Sequence, residues 1–231
     1  MAETGTRTVE RALTLLAAVA EGGGTLSHLA RAANLSPSTA SRLLATLAGQ
    51  ELVRRDEHGH YQAGIRLRQL AAASLRADPL HELAGSHLAE LAAETGETAN
   101  LAVAADSRRV VYLRQVASPK LVQTAAWAGR TIPRRGTALG AVLRGEVGEH
   151  GYVARTGAVE PDVTSIAAPV YGADGEIVAA LSVLAPNYRM TPGRVEACGR
   201  AVAREAAGLS ESLGYAGPVS AVSSVRSGAA A

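Results

Sequence analysis

The 231-residue sequence has no phenylalanine, one tryptophan, one lysine and one cysteine. An aromatic share of 3% argues against a surface built on base stacking, the device of single-strand nucleic-acid grooves. A lone cysteine excludes a disulfide framework and any zinc site made of several thiolates. No apolar core follows a basic start, and no run free of charge reaches the ~18 apolar residues of a membrane span. The expectation is a soluble, cytoplasmic protein without a membrane partner.

Sites of chemistry are equally scarce. Gly-x-Ser-x-Gly, His-Glu-x-x-His and Gly-x-Gly-x-x-Gly are all missing. The Gly22-Gly23-Gly24 run lacks the Gly-Lys-Ser/Thr ending that a phosphate loop needs. Cys198 falls on an apolar helical stripe, which predicts core packing rather than a nucleophile. His81 and His87 lie on different faces of one helix, and His58 and His60 have no further ligand near them in sequence. Trp127 either fills the core or packs under a ligand pocket, with core the expectation. The sequence therefore predicts no enzyme, no cofactor and no metal.

What is present is a foldable chain, 47% hydrophobic and 19% charged, with a net charge of +2. Its positive excess sits early. Residues 1–76 carry three more Arg than acidic residues, whereas the remainder has one more acid than bases. That asymmetry is compatible with nucleic acid at one end. Lys120 is the only lysine, so arginine, suited to bidentate phosphate and guanine contacts, supplies nearly all the positive charge.

The periodicity of the first third predicts a helix over 9–20 with Val9, Ala12, Leu13, Leu16 and Val19 on one face. A second helix runs over 26–33, and Asn34-Leu35 makes a tight turn. A third begins with Ser36 as cap and Pro37 in its first turn, burying Ala40, Leu43, Leu44 and Leu47. Its outer face offers Ser38, Thr39, Ser41, Arg42 and Thr46, short polar groups and one arginine able to enter a major groove. Leu52–Arg55 and His60–Ala63 then flank a turn, Asp56–Gly59, as a hairpin. Helix, turn, capped helix and hairpin make a winged helix-turn-helix. The expected DNA contacts are Ser36, Ser38, Thr39, Ser41, Arg42 and Thr46 on the helix. Arg54 and Arg55 hold phosphate, and the acidic wing tip stays outside the groove.

A helix over 65–75, with Ile65, Leu67, Leu70, Ala71 and Leu75 on one face, leads to Asp78-Pro79, the cap and start of another helix ending near Thr95. That helix is expected to bury Leu80, Leu83, His87 or Leu88, and Leu91. Beyond Gly96 the period shortens. Residues 98–105, 109–114, 121–125, 165–171 and 176–184 read as strands, 137–143 as a short helix and 192–213 as a closing helix. The fold class is α+β: a winged helix-turn-helix, a linker helix and an antiparallel sheet with flanking helices. The domains are expected at 5–66 (DNA binding), 67–78 (linker) and 79–215 (sensor), with 216–231 as a disordered tail.

Specific strings carry a family resemblance. Leu29-Ala30, Leu35-Ser36, Ser38-Thr39, Arg42-Leu43-Leu44, Leu47 and Leu52-Val53 resemble the reader domain of IclR-type bacterial transcription regulators. Glu97-Thr98-Ala99-Asn100, Val110-Val111-Tyr112-Leu113, Thr137-Ala138-Leu139-Gly140, Gly151-Tyr152, Ile166-Ala167-Ala168-Pro169 and Ala179-Ala180-Leu181-Ser182 resemble that family's GAF-like effector domain. The resemblance implies a homodimer or tetramer on palindromic double-stranded DNA, and a small organic acid as effector. It also implies a pocket lined by Ala138, Leu139, Gly140, Ser165 and Ser182, with amides at the start of the 137–143 helix facing a carboxylate. The chain departs from the pattern in three places. Gly140 is followed by Ala141 rather than lysine, Asp162 stands where glycine is common, and the stretch from Gly140 to Gly151 is short. These departures define the alternatives: an effector-independent regulator, or a partner-binding protein with a vestigial sensor.

Overall fold

The computed structural model describes residues 3–217. The chain divides into two compact units that meet in sequence between Ala77 and Asp78.

The first unit comprises α1 (Glu3–Glu21), α2 (Leu26–Ala32), α3 (Pro37–Gly49), the hairpin strands β1 (Val53–Arg55) and β2 (Tyr61–Ala63), and α4 (Ile65–Arg76). Its core joins Leu15 and Val19 of α1 to Leu29, Ala40, Leu43, Leu44, Leu47, Val53 and Tyr61. Two expectations are corrected here. The first helix begins at Glu3 rather than Val9, and Val9 and Leu13 are exposed. Helix α1 carries two apolar i,i+4 stripes, Leu15/Val19 and Val9/Leu13, and periodicity alone does not say which one meets α3. Likewise α4 buries no residue within its unit, and Ile65 and Leu70 are exposed. Asn34, with a φ of 52°, turns the chain between α2 and α3 as expected. The glycine run has a structural task. Gly24 and Tyr61 exchange backbone hydrogen bonds of 3.0 and 2.8 Å, fastening the wing to the end of α1. Gly23 lets them meet, because a Cβ there would lie 2.2 Å from the Tyr61 carbonyl oxygen.

The second unit is one antiparallel sheet with helices on both faces. Its elements are α5 (Pro79–Thr95), β3 (Thr98–Ala104), β4 (Arg109–Val116), β5 (Thr131–Pro133), α6 (Ala138–Val142), β6 (Val153–Thr156), β7 (Val163–Tyr171), β8 (Ile177–Pro186) and α7 (Pro192–Ser212). The strand order is β5-β4-β3-β8-β7-β6. Alternation along the strands sorts the core into two layers. Leu101, Ile166, Val170, Leu181 and Val183 pack against Leu88 and Leu91 of α5 and Cys198, Val202 and Leu209 of α7. On the other face Val110, Tyr112, Ala167, Ala180 and Leu184 meet α6, Trp127 and Ile132. Within α5, Leu83 is on the exposed side and Ala84 takes the buried place.

Residues 121–125 form no strand. Leu121 and Val122 are exposed on a strap between β4 and β5, and the edge strand is Thr131–Pro133, paired with Arg109–Val111. Strand β6, absent from the sequence reading, pairs with β7 at the opposite edge. The connection from α6 to β6 contains no helix, in keeping with its short length. Among the described residues no helix is long and apolar enough to cross a membrane. The tail expected over 216–231 lies, past residue 217, outside the described residues.

Candidate nucleic-acid interface and ligand cavity

Helix α3 is built to present its polar face. Ser36 is the N-cap: its hydroxyl oxygen accepts from the Thr39 amide at 3.3 Å and donates to Thr39 Oγ1 at 2.9 Å. Pro37 follows in the first turn, where a missing N–H costs nothing. The buried stripe Ala40, Leu43, Leu44 and Leu47 fixes the helix rotation, so Ser38, Arg42 and Thr46 are exposed and Thr39 and Ser41 half-buried. Thr46 spends its proton on the Arg42 carbonyl at 3.1 Å. The side chains of Ser41 and Arg42 have no hydrogen-bond or ionic partner among the described residues. Of the expected contacts they are the ones free to bind, whereas Ser36 and Thr46 are engaged with their own helix.

In the wing, Arg54 donates to Gln62 Oε1 at 2.5 Å, and Arg55 donates to the Gly59 carbonyl at 3.3 Å while lying over the Tyr61 ring. Both guanidiniums are exposed and pre-positioned on the strands. Asp56 accepts from the amides of His60 and His58 at 2.8 and 3.0 Å. The His60 amide is the chief reason its carboxyl is held below the ordinary carboxylate value. Asp56 thus shapes the turn rather than pointing outward.

The second unit contains a cavity on the α6 side of the sheet, lined by Tyr112, Trp127, Ile132, Thr137, Ala138, Val163, Ser165 and Leu184, with Arg155 and Glu160 also in its wall. It offers about 30 Å³ to the centre of a water molecule, against the ~10–15 Å³ that one water requires. That is room for about two or three waters. Tyr112 and Trp127 form an aromatic wall with ring centroids 5.7 Å apart. Neither the Tyr112 hydroxyl nor the Trp127 indole N–H has a partner among the described residues. Burial alone pushes the Tyr112 phenol above its ordinary value.

Only part of the expected pocket is brought together. Ala138 and Ser165 line the cavity; Leu139, Gly140 and Ser182 do not. Leu139 is fully buried in the core. The Gly140 amide is already used by the Thr137 hydroxyl, 3.1 Å away, and a Cβ at Gly140 would strike the Arg134 carbonyl oxygen at 1.6 Å. Gly140 is thus a packing glycine, and that amide is not free for a carboxylate. Ser182 lies mid-sheet beside Asn100 in the β3–β8 register, and Ser182 Oγ and Asn100 Oδ1 are both buried without a partner. Tyr112, Thr137 and Arg155 were not expected in the wall, whereas Trp127 both fills the core and lines the cavity, the two places open to it from the sequence. Tyr112 and Trp127 belong at once to the core layer on the α6 face and to the cavity wall.

The strap that carries Trp127 is clamped at several points. Its backbone N–H donates to Gln115 Oε1 at 2.7 Å. Glu97, fully buried at the head of β3, receives Lys120 at 2.6 Å and Arg189 at 2.9 and 2.7 Å. Arg189 also donates to the Val122 carbonyl at 3.0 Å.

A winged helix-turn-helix followed by a separate α+β unit is an architecture of DNA-binding transcription regulators. Residues 8–57 match the IclR helix-turn-helix domain, and 72–145 and 145–211 match the C-terminal domain of bacterial IclR transcriptional regulators. The chain belongs to the IclR family and is a DNA-binding transcription regulator. The two C-terminal segments meet at residue 145, inside the short connection after α6. The chain is similar to the HTH-type transcriptional regulator BhcR of Paracoccus denitrificans, 26% identical over 89% of this chain and 87% of that one. An IclR transcriptional regulator from Alicyclobacillus acidocaldarius shares the fold with a TM-score of 0.77, at 24% identity over 90% and 99% of the two chains. An IclR homologue from Microbacterium hydrocarbonoxydans, complexed with 4-hydroxybenzoate, superposes with a TM-score of 0.72 at 23% identity, covering 89% and 98%.

Proposed function

We propose that this protein is a cytoplasmic, non-enzymatic regulator that binds palindromic double-stranded DNA as a homodimer, with residues 5–66 as reader, 67–78 as linker and 79–215 as sensor. The observation that carries the DNA reading is α3, where Ser41 and Arg42 stand unpaired on the face opposite a fully buried stripe. Arg42 reads base edges, Ser38 and Thr39 contribute short polar contacts, and Arg54 and Arg55 hold phosphate. The exposed apolar residues Val9, Leu13, Ile65 and Leu70 support self-association, since each leaves a large side chain in water within its own unit. In a symmetric dimer the two α3 helices would enter successive major grooves roughly 34–36 Å apart.

The cavity takes a small organic effector, set against the Tyr112–Trp127 wall with Ala138 and Ser165 beside it. The unpaired phenol and indole donors favour a ligand with acceptor oxygens, and Arg155 in the wall favours an acid. The 4-hydroxybenzoate held by the Microbacterium homologue has both features.

Genome-wide selection of DNA fragments by the purified protein at two salt concentrations tests the reading. The expected result is one palindromic motif enriched at both. Arg42→Ala should weaken binding to that motif by about tenfold or more while leaving non-specific binding within about twofold. Enrichment without a motif, vanishing at higher salt, would reduce the interaction to electrostatics.

A further inference from the structure

Strand β4 changes face in mid-course. Leu101 pairs with Arg114 and the adjacent Ala102 pairs with Tyr112, so Leu113 has no opposite residue on β3. Adjacent residues of a strand point to opposite faces. The bulge therefore turns Arg114 towards the α5–α7 face, where Leu101 packs, and Tyr112 towards the α6 face, where Ala102 packs. In a regular strand these two residues, two apart, would share a face.

Each does something definite there. Tyr112 walls the cavity. Arg114 donates from Nη1 to the His81 carbonyl oxygen of α5 at 2.7 Å. Gly85 makes the room, since a Cβ there would lie 2.7 Å from Nη2 and 2.9 Å from Cζ of the guanidinium. His81 lies in the first turn of α5, whose cap Asp78 is the first residue of the second unit. Elsewhere α5 meets the sheet through Ala84, Leu88 and Leu91, apolar contacts without direction.

We infer that Arg114 is a positioning residue that passes the state of the cavity to the first turn of α5, the helix by which the chain enters the sensor from the reader. The inference rests on the cavity being the effector site. A group lodged against Tyr112 displaces the bulged part of β4, where the ladder is already interrupted. The Arg114 guanidinium, bonded to His81, carries the displacement across the sheet to α5. Coupling of this kind needs one element biased by both sites, and the bulge is that element.

Amide hydrogen exchange over residues 79–85 in the full chain tests this without a ligand. Ser165→Val and Val163→Leu, each at a half-buried cavity-wall position, add carbon to the cavity in place of an effector. In the wild type either should change exchange over 79–85 by about fivefold. The change should persist with Arg114→Lys, which keeps a donor for His81, and fall within about twofold with Arg114→Met. An undiminished change with Arg114→Met, or none in the wild type, would overturn the inference. Titration of the wild type with 4-hydroxybenzoate, followed by Trp127 fluorescence, tests the effector reading separately. A flat titration would count against that reading while the exchange result stands.

Discussion

The Glu97 cluster permits a ranked prediction. Its carboxylate is at 1% side-chain exposure, Arg189 at 17% and Lys120 at 39%. Removing Lys120 (Lys120→Met) deletes one bond of 2.6 Å but leaves Glu97 with both Arg189 bonds. A half-exposed lysine gives up little on leaving, so the cost should be about 1 kcal/mol. Removing Arg189 (Arg189→Met) leaves a buried carboxylate with a single partner and also deprives the Val122 carbonyl of its donor. That approaches the uncompensated case, for which ~3–5 kcal/mol is typical; about 3 kcal/mol is expected because Lys120 stays. Glu97→Gln removes the central charge but frees both cations to rehydrate, and should fall between the two at about 2 kcal/mol. Urea unfolding followed by Trp127 fluorescence reads the second unit alone, since this is the only tryptophan. With a slope near 2 kcal/mol/M the midpoints should fall by about 0.5, 1.5 and 1 M in the order given. Circular dichroism on the same samples separates unfolding from local release of the strap, because only unfolding moves both signals together. If Lys120→Met costs as much as Arg189→Met, Lys120 and not the guanidinium holds the strap, and the reasoning fails.

Two further outcomes follow from single contacts. Gly23→Ala places a methyl group against the Tyr61 carbonyl oxygen at a backbone φ of 65°; left-handed strain of ~1–2 kcal/mol should break the bridge to the wing, read as faster exchange of the Tyr61 amide, and unchanged protection would refute the contact. Tyr112 has a folded-state pKa raised above the ordinary 10.0 by burial, so its contribution to stability is complete below pH 10 and lost as pH climbs through the folded value. Tyr112→Phe should flatten that alkaline loss in a denaturation series, and an identical loss in the variant would place its origin elsewhere.

The local rules made the reader unit legible because its signals are local. The Ser36 cap, the Pro37 first turn and the Ala40–Leu43–Leu44–Leu47 stripe each concern neighbours on one helix, and all hold in the structure. The same rules fail where two candidate faces compete. Val9 and Leu13 match helical spacing as well as Leu15 and Val19 do, and only the position of α3 decides between them. Residues 121–125 fail for a related reason. Leu121 and Val122 have strand-like side chains, but the segment runs as a strap fastened by contacts distant in sequence, Lys120 to Glu97 and Arg189 to the Val122 carbonyl.

The cavity shows the sharper limit, because a motif marks a string of residues and not how far along the sheet a cavity reaches. Ser165 and Ser182 stand in neighbouring strands within equally recognisable strings, yet only Ser165 reaches the cavity. The register explains it. Ser165 pairs with Leu184, which also lines the cavity, whereas Ser182 pairs with Ala167 and Asn100, two residues along on the same face and beyond the cavity lining. The bulge at Leu113 is equally invisible in advance, since it depends on which β4 residue meets Leu101 and which meets Ala102. Yet that one-residue slip sets Tyr112 against the cavity and Arg114 against α5. A periodic reading of Val110, Tyr112 and Arg114 would put all three on one face and erase the crossing from the cavity wall to α5. The crossing from the cavity wall to α5 thus lies where the strand departs from its period, and only pairing across the sheet reveals it.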